Sequence, residues 1–145
     1  MDKLMEKVTA TVTATVTATV AAQPGTGHRA HGTTSGRAAA EWFRVCRLAE
    51  LDDSWGEAAL INGRQVALFR VGRDAVFAVA QADPATRAHV MARGLVGTRG
   101  NTHTIASPLH KEVYSLATGE CFGRPELRLR TYPVRVVEGM VEVAL

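Results

Sequence analysis

The sequence predicts an all-β fold, a sandwich or small barrel of short antiparallel strands with little helix. Three observations carry this. Short apolar runs recur between turn signals from Trp42 to the end of the chain. An Asn62-Gly63 dipeptide separates two of those runs, and Glu138-Gly139 separates two more. Helix signals are confined to one short segment after Asp83.

The ordered part, residues 41–145, opens near Trp42. Trp42, Phe43 and Val45 make a short apolar start, followed by Leu48 and Leu51 before the polar Asp52-Asp53-Ser54. Ala58–Ile61 and Gln65–Val71 flank Asn62-Gly63, the strongest short hairpin signal, because a type I′ turn needs positive φ at both central residues. In the second run Val66, Leu68 and Arg70 share one face, and Ala67, Phe69 and Val71 the other. Gly72-Arg73-Asp74 turns the chain into a third strand, Ala75–Ala80.

Asp83 at an N-cap, Pro84 at the first helical position and Gly94 past the end predict a short helix over Ala85–Arg93. A structured loop with one helical turn fits the same signals. Leu95-Val96 leads to a turn at Gly97 and Gly100, and Thr102–Ala106 is the next strand. In Glu126–Tyr132 the alternation puts Leu127 and Leu129 inward and Arg128 and Arg130 outward. Val134 and Val136, then Val141, Val143 and Leu145, form a closing hairpin around Glu138-Gly139.

Residues 1–40 differ in kind. Val8–Val20 is a Thr-Ala-Thr-Val repeat, and Gln23–Gly36 is rich in Gly, Thr, Ser and His. We read this stretch as a low-complexity, disordered or loosely attached arm, with an added edge strand as the alternative. His28 and His31 are expected to be solvated tail residues.

Composition excludes several classes. No run of about 18 apolar residues exists, so no membrane span is expected. The start is too polar for a signal-peptide core, which predicts a cytoplasmic protein. The net charge is +3. Residues 1–40 carry four bases and two acids, and residues 41–145 carry 13 bases and 12 acids scattered along the chain. That near-neutral balance points away from nucleic acid, which draws on clustered cations. Cys46 and Cys121 form neither a disulfide framework nor a zinc pattern, and buried thiols in a reducing compartment are expected. Neither a catalytic constellation nor a phosphate-binding glycine loop is present in the sequence.

The most informative stretch is Ile105–Phe122, I-A-S-P-L-H-K-E-V-Y-S-L-A-T-G-E-C-F. Its frame resembles the second ligand loop of a Rieske iron–sulfur site, where two cysteines and two histidines hold the irons. Pro108, Leu109, His110, Tyr114, Leu116, Thr118 and Gly119 keep that frame. Ser107 stands at the cysteine position, and Lys111 where the family usually has glycine. The loop from Gln81 to Met91 holds no cysteine and a single histidine, His89. Only His110 remains of the ligand set, so the residues point away from a cluster.

The chain from about Trp42 to Val143 therefore resembles a Rieske-like (ISP) β domain. Asn62-Gly63, Asp83-Pro84, Arg93–Gly97 and Ala106–Lys111 together resemble the cluster-free small subunit (NirD type) of cytoplasmic NADH-dependent nitrite reductase. The resemblance implies a non-catalytic chain with no cofactor, metal or catalytic residue of its own. Its expected partner is the nitrite reductase large subunit, which carries flavin, an iron–sulfur cluster and sirohaem and reduces nitrite to ammonium with NAD(P)H. The expected partner-contact residues are Arg93, Ser107, His110, Lys111 and Tyr114. Tyr114 is expected to be a core aromatic with a satisfied hydroxyl, and His110 to bond to the loop backbone. Ser107 is expected to cap the turn at Pro108, and His89 and His103 to be surface residues. A Rieske [2Fe–2S] ferredoxin and an unrelated β-barrel interaction module are the alternatives.

Overall fold

The computed structural model describes residues 39–145. The expectations for the arm, including those for His28 and His31, lie outside the described residues. Ten strands run in order: β1 Trp42–Arg47, β2 Gly56–Ile61, β3 Arg64–Val71, β4 Ala75–Ala80, β5 Leu95–Arg99, β6 Thr102–Ala106, β7 Val113–Ser115, β8 Thr131–Tyr132, β9 Val134–Val137 and β10 Met140–Ala144. No α-helix occurs among the described residues; Leu48–Glu50 and Met91–Arg93 are single 3₁₀ turns.

The strands form three antiparallel sheets, ordered β1-β10-β9, β2-β3-β4-β8 and β5-β6-β7. Two apolar cores lie between them. Val45, Val66, Leu68, Ala78, Val141 and Val143 fill the first, between the β1 sheet and the β3 sheet. Ala67, Phe69, Val79, Ile105, Tyr114, Leu116 and Leu129 fill the second, between the β3 sheet and the β5 sheet. The middle sheet is thus covered on both faces. Strand β3 shows why: Val66, Ala67, Leu68 and Phe69 are all buried in succession, two facing each core. A continuous apolar run of this kind is the mark of a strand buried on both sides.

The Asn62-Gly63 hairpin forms as expected, with φ of +47° and +76°, and Ile61 pairs Arg64 across it. Three expectations fail. Over Ala85–Arg93 the helix does not form, and the alternative reading holds: a structured loop with one 3₁₀ turn at Met91–Arg93. Asp83 does accept the amides of Ala85 (2.7 Å) and Thr86 (3.4 Å) as a cap would. Arg87, however, takes a φ of +66°, which leaves the right-handed helical region and stops propagation. Gly97 lies inside β5, paired with Thr104, so the turn falls at Gly100 and Asn101. In Glu126–Tyr132 the inward leucines and outward arginines hold, yet only Thr131–Tyr132 pairs as a strand, against Ala78 and Val79 of β4.

Gly119 anchors the turn after β7. Its φ is +76°, and an added Cβ would collide with the carbonyl oxygen of Leu129. That approach lets the Leu129 amide donate to the Gly119 carbonyl at 2.8 Å, and it seats Leu129 in the second core. Gly72, with φ +66°, has nothing within 4 Å of such a Cβ. Alanine at Gly72 therefore incurs only the left-handed backbone penalty of roughly 1–2 kcal/mol. Gly119→Ala adds a backbone clash and is expected to cost at least about twice as much as Gly72→Ala. Urea denaturation of the two variants side by side checks the order.

Candidate functional site

Two loops meet at one end of the middle sheet. The first, from Gln81 to Gly94, is organised around buried polar side chains. Gln81 Oε1 accepts the Ala92 amide at 2.8 Å, and the Gln81 carbonyl accepts the amides of Val90 and Met91. The Arg87 amide donates to the Asp83 carbonyl at 2.8 Å, closing a turn over the Asp83 side chain. The second loop runs from Ser107 to Glu112. The Ser107 amide donates to the Glu112 carbonyl (2.9 Å), and the Lys111 amide donates to the Ser107 carbonyl (3.0 Å). Ser107 Oγ also accepts the Leu109 amide at 3.3 Å, so the serine does close the turn through Pro108.

The two loops are joined by a contact that sequence reasoning missed. The Ser107 hydroxyl donates to Asp83 Oδ2. Both side chains are buried, Asp83 fully and Ser107 to within 1%. With Oδ1 taken by the Ala85 and Thr86 amides, the Asp83 carboxylate is neutralised by donors rather than by a cation. Hydrogen bonds to a charged acceptor are the stronger kind and make such burial tolerable. The Asp83-Pro84 dipeptide was visible in the sequence, but its signal was that of a helix cap; nothing local marks a partner 24 residues away.

The expected contact residues separate into two groups. Arg93, His110 and Lys111 are exposed. Ser107 and Tyr114 are buried and stand behind the surface, holding it up rather than presenting a side chain to a partner. His110 makes no side-chain hydrogen bond among the described residues, which corrects its expected tie to the loop backbone. Tyr114 fills the second core, yet its hydroxyl has no partner, contrary to expectation. Burial, then the negative charge of Asp83, holds that hydroxyl well above the usual tyrosine range. His89 is exposed as expected, whereas His103 is half-buried against Phe77 (ring centroids 5.6 Å apart).

Lys111 has a φ of +60°, in the left-handed region that favours glycine. Gly94 supplies the other special position: a Cβ there would sit 2.5 Å from the Ala106 carbonyl oxygen, so its absence lets the end of the first loop pack against the start of the second.

Residues 41–144 match the family model of the Rieske-like [2Fe-2S] domain. The chain belongs to that family. Among its Rieske-like relatives, the nitrite reductase (NADH) small subunit of Salmonella typhimurium is 34% identical, over 71% of this chain and 96% of that protein. The crystal structure of an NADH-dependent nitrite reductase small subunit from Mycobacterium tuberculosis is 37% identical, covers 74% of this chain and 97% of that one, and superposes with a TM-score of 0.72. A nitrite reductase [NAD(P)H] large subunit from Klebsiella oxytoca is 36% identical over 70% of this chain, which there corresponds to 11% of the longer protein.

The Rieske-like scaffold is kept, but its donor set does not fit a [2Fe–2S] cluster. Such a cluster needs thiolates, and neither loop contains one. At the base of the loops, where Ser107 takes the cysteine position, the side chain is committed to Asp83. The two thiols present, Cys46 and Cys121, lie in the two apolar cores, and burial pushes the Cys46 thiol up to about 11. No group of three or more His, Cys, Asp or Glu suited to a metal occurs among the described residues.

Two outcomes test this site. Ser107→Ala removes one charge-assisted bond from a buried carboxylate and is expected to cost about 1.5–3 kcal/mol in chemical denaturation. Tyr114→Phe removes a hydroxyl that bonds to nothing and is expected to leave stability at neutral pH unchanged or higher. Because the folded state raises the Tyr114 pKa above its ordinary value of 10.0, its contribution is complete below pH 10 and is lost as pH rises further. Wild type should therefore lose stability above pH 10 faster than Tyr114→Phe. The alkaline loss from Cys46 is common to both proteins and cancels in the comparison.

Proposed function

We propose that this chain is the non-catalytic small subunit of an NAD(P)H-dependent nitrite reductase and acts by docking on the large subunit. Electrons pass from NAD(P)H to nitrite through the flavin, iron–sulfur and sirohaem groups of the large chain, in the cytoplasm. The present chain holds none of these groups. Arg93, His110 and Lys111 contact the partner, with Ser107 and Tyr114 as the support behind them. One observation carries the reading: the Asp83–Ser107 hydrogen bond closes the two former ligand loops on each other. A scaffold so closed has a surface to offer and no redox group. The similarity to small subunits along nearly their whole length supports the same reading.

The test is reconstitution. Adding this chain to the purified large subunit is expected to raise nitrite-dependent NADH oxidation, while the chain alone shows none. If the large subunit reduces nitrite equally fast without it, the proposal fails. A brown preparation with stoichiometric iron and sulfide would instead make the chain a ferredoxin-type carrier.

A further inference from the structure

The surface around the two loops is far from electrically neutral. Across the two loops and β5, residues 81–112, the sequence has four bases, Arg87, Arg93, Arg99 and Lys111, and two acids, Asp83 and Glu112. All four bases are exposed, Asp83 is fully buried, and Glu112 is half-buried and paired with Arg124 at 3.6 Å. Elsewhere in residues 41–145 nine bases face ten acids. The near-neutral total thus hides a polar molecule, positive over the two loops and β5 and negative over the remainder.

Large apolar side chains sit within this basic region. Leu95, at the start of β5, is 72% exposed. Arg93, two residues before it, lies over the ring of Trp55 at 6.0 Å, and Trp55 is 53% exposed. Arg99, on the same face of β5 as Leu95, lies over Phe122 at 4.8 Å. Leu95 pairs with Ala106, one residue before the second loop, whose Leu109 is 49% exposed. Two stacked arginine–aromatic pairs therefore bracket an exposed leucine. Tryptophan and arginine are the residue types that dominate interface energetics, and stacking holds the guanidiniums in place before a partner arrives, which lowers the entropy cost of binding.

We infer that Trp55, Arg93, Leu95, Arg99, Leu109 and Phe122 form the docking face for an acidic, apolar-centred surface on the nitrite reductase large subunit. This rests on the function proposed above and names the face that performs it. Charge favours an acidic partner surface, since the loops and β5 present four exposed bases and no exposed acid. The Klebsiella oxytoca large subunit supports the choice of occupant. There a region 36% identical to this chain is part of the large polypeptide itself, so the same domain shares a molecule with the rest of that protein. Nucleic acid is the competing polyanion, and exposed leucine at the centre of the patch favours protein over phosphate.

The experiment measures binding of the full chain to the purified large subunit by calorimetry at low and high salt. Leu95→Asp and the Arg93→Glu/Arg99→Glu double variant are each expected to weaken binding at least tenfold. Trp55→Ala supplies an apolar variant that adds no charge. Val136→Asp, on the exposed side of β9 in the sheet across the molecule, is expected to stay within about twofold of wild type. Wild-type affinity should fall as salt rises. Loss of binding in Val136→Asp equal to that in Leu95→Asp, or wild-type binding by all the patch variants, overturns the docking face and leaves the proposed function standing. Failure of the wild-type chain to bind the large subunit overturns both. Binding of a generic RNA at the same salt as tightly as the large subunit assigns the patch to nucleic acid instead.

Discussion

The hydrogen bond from Ser107 to Asp83 is a buried polar tie between two loops that also pack together through Gly94. Each loop is internally closed, the first around Gln81 and Asp83, the second by the bonds between Ser107, Lys111 and Glu112. Met91 and Ala92 fix the end of the first loop in the second core, and its Asp83 end is fixed by the polar tie. A buried carboxylate accepting from two amides and one hydroxyl supplies that tie. It is directional, and it cannot slide without leaving a charge unsatisfied in a dry interior. His110 and Lys111 take their positions from it, since they lie three and four residues from Ser107.

Behind the loops stands an unusually firm floor. Strand β3 is buried on both faces, and Phe69 and Val79 from the middle sheet pack with Tyr114 and Ile105 from the β5 sheet. Gly56 belongs to the same arrangement, since a Cβ there would overlap the Ala92 carbonyl oxygen and the Phe69 ring. The 3₁₀ turn of the first loop is thus pressed directly against β2. A rigid floor and tied loops give a surface that changes little on association, and preorganisation of that kind converts contact area into affinity more efficiently than a mobile loop does.

Sequence reasoning recovered the parts of this architecture that depend on near neighbours. Asn62-Gly63 and Glu138-Gly139 formed their hairpins because the turn itself demands positive φ from those residues. The all-β expectation holds; the alternation in Val66–Val71 marked a strand, but nothing in it said that both of its faces would be covered. The helix signals after Asp83 were genuine capping chemistry, since the Ala85 and Thr86 amides do bond to Asp83, but the left-handed backbone at Arg87 ends the turn before a helix can propagate. The charge tally was correct and still misleading. The excess of bases between Arg87 and Lys111 is contiguous in the sequence and vanishes in the whole-domain sum, and the burial of Asp83 that sharpens it is a tertiary event.

Lys111 shows how the site departs from what folding alone would select. Its φ of +60° is a conformation that glycine adopts freely and lysine only at a cost of roughly 1–2 kcal/mol. No hydrogen bond or ion pair of its side chain offsets that cost among the described residues, and the side chain is exposed. A residue held against its backbone preference without local compensation is a reason to look for function in its side chain. Here the side chain adds a fourth exposed base to a region whose two acids are withdrawn, Asp83 by burial and Glu112 by pairing with Arg124, beside Leu109 on a loop held in place by Ser107. Strain at Lys111, the fully buried acid and the stacked arginines therefore have a common physical consequence: positive charge concentrated on a preformed, apolar-centred surface.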